Sequence, residues 1–208
     1  MQELTIANSK TSVGVIGNFG KLEIRNSAFK NNTGENEGTI ENGSAKDSPT
    51  DITLLLDTVE FSNNTGKYGG AMINFATATL HLCTFSNNTS TWGGAIQNQN
   101  PATLQMDQSL FTQNKAQIGG GIFNEGALTV TYSGFEANKA TNDGGGIFNR
   151  ETASVSKSNF QTNTAAANGG GIYSGKDMKL EFSTVENNQA ANGGGIFSAD
   201  GTVRVRRS

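Results

Sequence analysis

Acid–base or metal chemistry has one place to gather in this sequence: Asp57, His81 and Asp107. An imidazole that titrates near neutrality, set between two carboxylates, can relay a proton or ligate a cation. The three residues are separated by 24 and 26 positions, so they meet only in a chain that returns to the same place at that interval. The neighbouring positions on such a face, Leu55, Thr79 and Gln105, add neither a third carboxylate nor a base. A charge-balanced surface with one histidine between two acids explains the same pattern, because structural ion pairs use the same residue types. The expectation is therefore a non-catalytic protein with Asp57, His81 and Asp107 as the only catalytic candidates, and no cofactor or metal is called for.

The interval itself is plain in the sequence. GGGIFN at 119–124 recurs as GGGIFN at 144–149, GGGIYS at 169–174 and GGGIFS at 193–198, with looser copies GGAIQN at 93–98 and GGAMIN at 69–74. EGTIEN at 37–42 and VGVIGN at 13–18 are weaker. The fourth residue of each gives the series Ile16, Ile40, Met72, Ile96, Ile122, Ile147, Ile172 and Ile196, with steps of 24, 32, 24, 26, 25, 25 and 24. Such self-similarity is the signature of a repeat array.

Two further landmarks recur in each copy. An aromatic precedes an asparagine by three residues at Phe29/Asn32, Phe61/Asn64, Phe85/Asn88, Phe111/Asn114, Phe135/Asn138 and Phe160/Asn163, and Val185/Asn188 and Thr5/Asn8 complete the column. Before it lies a short alternating segment, such as Leu128/Val130 or Leu54/Leu56, followed by a small residue: Ser27, Cys83, Ser109, Ser133, Ser158, Ser183 and Ser208, with Val59 the exception. Apolar residues two apart, bounded by Gly- and Asn-rich corners, read as short strands, and no 3.6-residue stripe argues for a helix. Three strands and three corners per ~25 residues suit one rung of a parallel β-helix. The expected fold is all-β, a right-handed parallel β-helix of the pectin-lyase-like type with about eight rungs, the hand following from the rule for crossovers between parallel strands.

The columns then have physical roles. The marker Ile points inward, worth roughly 1.5–3 kcal/mol when buried. Asn8, Asn32, Asn64, Asn88, Asn114, Asn138, Asn163 and Asn188 stack into a ladder in which each amide both donates and accepts. The paired glycines let the corner take positive φ. Cys83 sits in the serine column, which reads as a small inward residue rather than a reactive thiol. The array spans 1–208 as one unit, starting part-way through a rung and stopping at Ser208, and reads as a segment of a longer repeat protein. Enlarged corners fall at 42–53 and 99–102 and hold both prolines, Pro49 and Pro101.

Composition narrows function by exclusion. A net charge of −3 with scattered charges argues against nucleic acid as partner, and the 27 glycines follow no Gly-X-Y period. No apolar run approaches the ~20 residues that cross a bilayer as a helix. The opening MQELTIANSK lacks the basic and apolar regions of a secretory signal. One cysteine excludes an internal disulfide framework.

The motif pair in FSNNTGKYGGAM at 61–72 and FSNNTSTWGGAI at 85–96 resembles the GGA-I and F-x-x-N repeats of chlamydial polymorphic outer membrane proteins. The GGGIFN-x-G-x-LTV form at 119–130 is also similar to β-helix repeats of large bacterial secreted and surface proteins. The resemblance covers nearly the whole chain, although the first two rungs carry degenerate glycine motifs. It implies an extracellular or cell-surface location, associated with the outer membrane, and an adhesive passenger or stalk role of the autotransporter kind, with a protein or glycan on a cell surface as partner. A carbohydrate-active enzyme or sugar-binding module using one outward face is the alternative.

Where would a partner sit? The residue after the marker runs Gly17, Glu41, Ile73, Gln97, Phe123, Phe148, Tyr173 and Phe197. Its last four members form an aromatic stripe that either stabilises the stack or marks a contact site, with Phe148 and Tyr173 at the centre of any contact. The open strands of the terminal rungs also favour end-to-end self-association.

Overall fold

The computed structural model describes residues 4–44 and 51–207. Over that range the chain is a parallel β-solenoid of about eight turns, with no helix. One turn illustrates the rest: Ile122–Asn124, then Ala127–Thr131, Gly134–Glu136 and Lys139–Ala140. Each strand pairs in parallel with its equivalents in the turns before and after. The marker strands make an 8-stranded sheet, and a 14-stranded sheet wraps two further sides. Its two sides are continuous through the long strands Lys21–Lys30 and Thr53–Ser62, which run round a corner.

Register follows the repeat. Ile16, Ile40, Met72, Ile96, Ile122, Ile147, Ile172 and Ile196 pair in that order. Inside, Phe29, Phe61, Phe85, Phe111, Phe135 and Phe160 are fully buried and stack at ring-centroid distances of 4.6–5.1 Å. Those distances match the 4.7–4.9 Å between strands, so each ring rests on the same ring one turn away. Leu128 and Val130, alternating along one strand, belong to the same core.

The glycine pair has a steric reason. Gly120 lies so close to the next turn that a Cβ would stand 2.3 Å from the Gly145 carbonyl oxygen. Gly144, at φ +67°, folds its corner over the outward side of the solenoid, where a Cβ would lie 2.7 Å from Phe148 Cβ. Only a residue without a side chain lets both approaches happen.

The first turn departs from expectation by one residue. Ile6, not Thr5, pairs with Phe29, and Ala7 pairs with Lys30. Asn8 therefore matches Asn31, and both take the left-handed conformation, at φ 58° and 56°. Ser9 holds the level of Asn32, whose Oδ1 accepts its backbone N–H at 3.0 Å. The cause is the side chain at position 6: an inward Ile serves the core and an inward Thr does not, so the buried apolar residue fixes the register. The enlarged corner at 99–102 closes with the Ala102 N–H donating to the Gln99 carbonyl at 2.7 Å. In the corner at 42–53, residues 45–50, with Pro49, lie outside the described residues, as does Ser208.

Candidate functional site

Two amide ladders set the frame on which outward residues are displayed. From Asn32 to Asn188 each amide Nδ2 donates to the next Asn Oδ1 at 2.9–3.0 Å. It also donates to a carbonyl one turn back, that of Ile6 for Asn32 and of a Phe for the others, as Asn138 does to Phe111 at 2.9 Å. The same Oδ1 accepts the backbone N–H of the preceding Asn, so Asn163 Oδ1 takes two bonds from Asn138. A second ladder, not anticipated although its residues close the GGGIFN motif, runs Asn18, Asn42, Asn74, Asn98, Asn124 and Asn149 at 2.6–2.7 Å. Both are largely buried columns with their amides paired, which rigidifies two corners of the turns they share. In the serine column Cys83 is 1 % exposed, and burial pushes its thiol up to about 11.

Asp57, His81 and Asp107 do share one outward column, with Arg25 before them and Thr131 after. Both acids are already engaged. The Arg25 guanidinium pairs with Asp57 as well as with Glu23. Asp107 accepts from Gln108 Nε2 and Thr131 Oγ1, each at 2.8 Å, and lies 3.3 Å from His81 Nδ1. The Gln108 amide, then the Thr131 hydroxyl and His81, hold the Asp107 carboxyl below its usual range. The arrangement is an open network of surface pairs. Among the described residues no group of three or more His, Cys, Asp and Glu side chains is placed to hold a metal ion.

The aromatic column stacks as a continuous ladder: Phe123–Phe148 at 5.3 Å, Phe148–Tyr173 at 4.4 Å and Tyr173–Phe197 at 5.5 Å. It is largely covered. Phe123 is 3 % and Phe148 5 % exposed, whereas Tyr173 and Phe197 are half-buried. The Gly144 corner lies against Phe148, and the Arg150 guanidinium spans Phe123 and Phe148 at 5.9 Å from each centroid.

Large exposed apolar side chains gather elsewhere. One corner column holds Asn26, Thr58, Leu82, Gln108, Tyr132, Lys157, Phe182 and Arg207, all left-handed with φ of 45–58°. That conformation is uncommon for such residues and turns the side chain away from the core. Leu82 is 46 %, Tyr132 56 % and Phe182 50 % exposed, and Leu110 on the adjacent strand is 40 % exposed. Cations interleave with the rings: Lys157 Nζ lies 4.7 Å from the Tyr132 centroid and 2.6 Å from its hydroxyl, and Arg207 lies 5.8 Å from Phe182. Sequence reading missed this ridge because its residue type changes at nearly every turn.

A third feature lies beside the marker column. Tyr68 and Trp92 stack at 5.2 Å with 10° between their planes. With Gln97, Phe123, Glu125 and Arg150 they line a surface cleft of about 260 Å³.

Comparison with known proteins bears on the repeat. The family model described as the Chlamydia polymorphic membrane protein repeat matches residues 82–99, which hold the Phe85–Asn88 and Gly93–Ile96 motifs. No curated protein and no solved structure matches the chain. The repeat match and the β-solenoid together fit the resemblance read from the motifs.

Proposed function

We propose that the chain is a surface-exposed, non-catalytic segment of a polymorphic membrane protein-like protein, and that it adheres through the corner ridge of Leu82, Tyr132 and Phe182. The match at 82–99 and the solenoid fit a repeat segment of a surface protein, a class distinct from enzyme families. The observation that carries adhesion is the exposure of that ridge: large apolar groups displayed at every second turn of a rigid stack, with Gln108 and Lys157 between them. Exposed aromatic anchors supply most of the energy in known interfaces. The Lys157 and Arg207 cations lie over one face of each ring, which lowers the ordering cost of binding. The partner is a protein or glycan at a cell surface.

Non-catalysis is supported by the acid–His column, whose carboxylates are paired with Arg25, Gln108 and Thr131. Two measurements test the reading. Antibody to the folded chain should label intact cells of the source organism, and the purified chain should leave acidic and neutral polysaccharides uncut. Labelling only after permeabilisation would overturn the surface assignment. Cleavage that disappears in Asp57→Asn or Asp107→Asn would make the chain a carbohydrate-active enzyme.

A further inference from the structure

One outward column carries two cations on adjacent turns. Thr129, Ser154, Lys179 and Arg204 pair in that order from turn to turn, and all four are exposed. Neighbouring strands lie roughly 4.7–4.9 Å apart, so Lys179 and Arg204 stand side by side. Like charges directly opposite each other destabilise a strand pair. Two residues further along the same strands Glu181 faces Arg206 at 3.9 Å, and there the charges are opposite. Among the described residues Lys179 and Arg204 form no ion pair, whereas Arg25, Lys30 and Arg150 each do. Thr152, Asp177 and Thr202 form the adjoining column, and with the first four residues they line a cleft of about 400 Å³. That volume lies within the ~300–1,000 Å³ of ligand sites.

We infer that this cleft binds an acidic glycan, a sugar chain bearing carboxylate or sulfate groups. An anionic group between Lys179 and Arg204 is held from both sides, and the guanidinium fork meets two of its oxygens at once. It also relieves the repulsion between the two cations. The rest of the lining suits hydroxyls rather than further charge. Thr129, Thr152, Ser154 and Thr202 each offer a hydroxyl that both donates and accepts. Asp177 Oδ1 accepts the Thr202 N–H at 2.8 Å, which leaves Oδ2 to accept from a sugar hydroxyl. A simple inorganic anion would meet that carboxylate with no proton to offer it. Nucleic acid fits less well, since among the described residues none that lines the cleft is aromatic and could stack on a base.

The test is calorimetric titration of the whole chain at about 0.15 M salt, where long-range attraction is screened. A heparin hexasaccharide carries sulfates and carboxylates, a hyaluronan hexasaccharide carboxylates alone, and maltohexaose no charge. At least one acidic hexasaccharide should saturate while maltohexaose does not, and the pattern identifies the anionic group. Lys179→Gln with Arg204→Gln should weaken that binding about tenfold or more, as the loss of charge-assisted hydrogen bonds implies. Its melting temperature should be unchanged or raised, because a like-charge contact is removed. Lys10→Gln with Lys21→Gln removes the same charge from exposed positions on the first turns and should leave affinity unchanged. Absence of saturation by both acidic sugars overturns the proposal, as does undiminished binding in the cleft variant or an equal loss in the control. Binding of maltohexaose or tripolyphosphate as tight as that of the acidic sugar would also overturn it. None of these outcomes bears on adhesion through Tyr132 and Phe182, which lie outside the cleft.

Discussion

Asn138 and Asn163 share one oxygen: Asn163 Oδ1 accepts both the side-chain amide of Asn138, at 2.9 Å, and its backbone N–H, at 3.0 Å. Asn138 in turn offers its own Oδ1 to Asn114 in the same two ways. The ladder is thus a chain of paired buried amides in which each member satisfies the one before it.

Replacing Asn138 by Leu should destabilise the array even though Leu is the more apolar residue. Asn163 Oδ1 keeps only a backbone donor, and Asn114 loses the acceptor of two bonds while buried. Each group left unpaired costs ~1–3 kcal/mol. The measurement is the melting temperature of Asn138→Leu, expected to fall by several degrees. An unchanged value would mean that the column contributes nothing.

Cys83 gives a separate check on the core. Its thiol is buried and pushed up to about 11, so the reactive thiolate is scarce at neutral pH. Labelling by a thiol reagent at pH 8 should be slow in the folded chain and complete once it is denatured. Cys83→Ser should fold normally, because Ser109, Ser133, Ser158 and Ser183 occupy the same column.

Glu41 predicts a pH effect. Burial first, then hydrogen bonding to Glu37 and repulsion from its charge, raise its carboxyl from 4.5 to about 7. The folded chain therefore holds a proton that the unfolded chain releases, so this group favours the fold below about pH 4.5. That contribution is lost as pH rises through about 7. Melting temperatures of wild type and Glu41→Gln, compared between pH 5 and pH 8, should diverge: wild type falls more as pH rises. Parallel curves would remove the Glu37–Glu41 interaction from the account.

What the sequence made legible was whatever repeats as a residue type. Isoleucine, phenylalanine and asparagine recur at 24–26 positions, with one step of 32, so their columns and pairings could be read directly. The first turn slipped by one because Ser9 stands at the ladder level and Asn8, one residue early, mimics the motif, while the buried Ile6 sets the register. Coverage of Phe148 was not legible, since it depends on how the Gly144 corner and Arg150 fold across the outward face. Tyr68 and Trp92 occur in only two turns, and the exposed ridge changes from Leu82 to Tyr132 to Phe182, so neither offers a repeated letter. Function here lies in positions where the repeat varies, which periodicity passes over.

Adhesion through the corner ridge is tested most directly by a double variant, Tyr132→Asn with Phe182→Asn. Asn26 already occupies that corner at φ 45°, and asparagine tolerates the left-handed conformation, so the fold should be kept. The measurement is saturation binding of the fluorescently labelled chain to a panel of intact cells. Wild type should bind at least one cell type. The double variant should lose most of that binding while its β-rich circular dichroism spectrum and melting temperature stay the same. Undiminished binding by the variant, or no binding by wild type to any cell in the panel, would contradict the account.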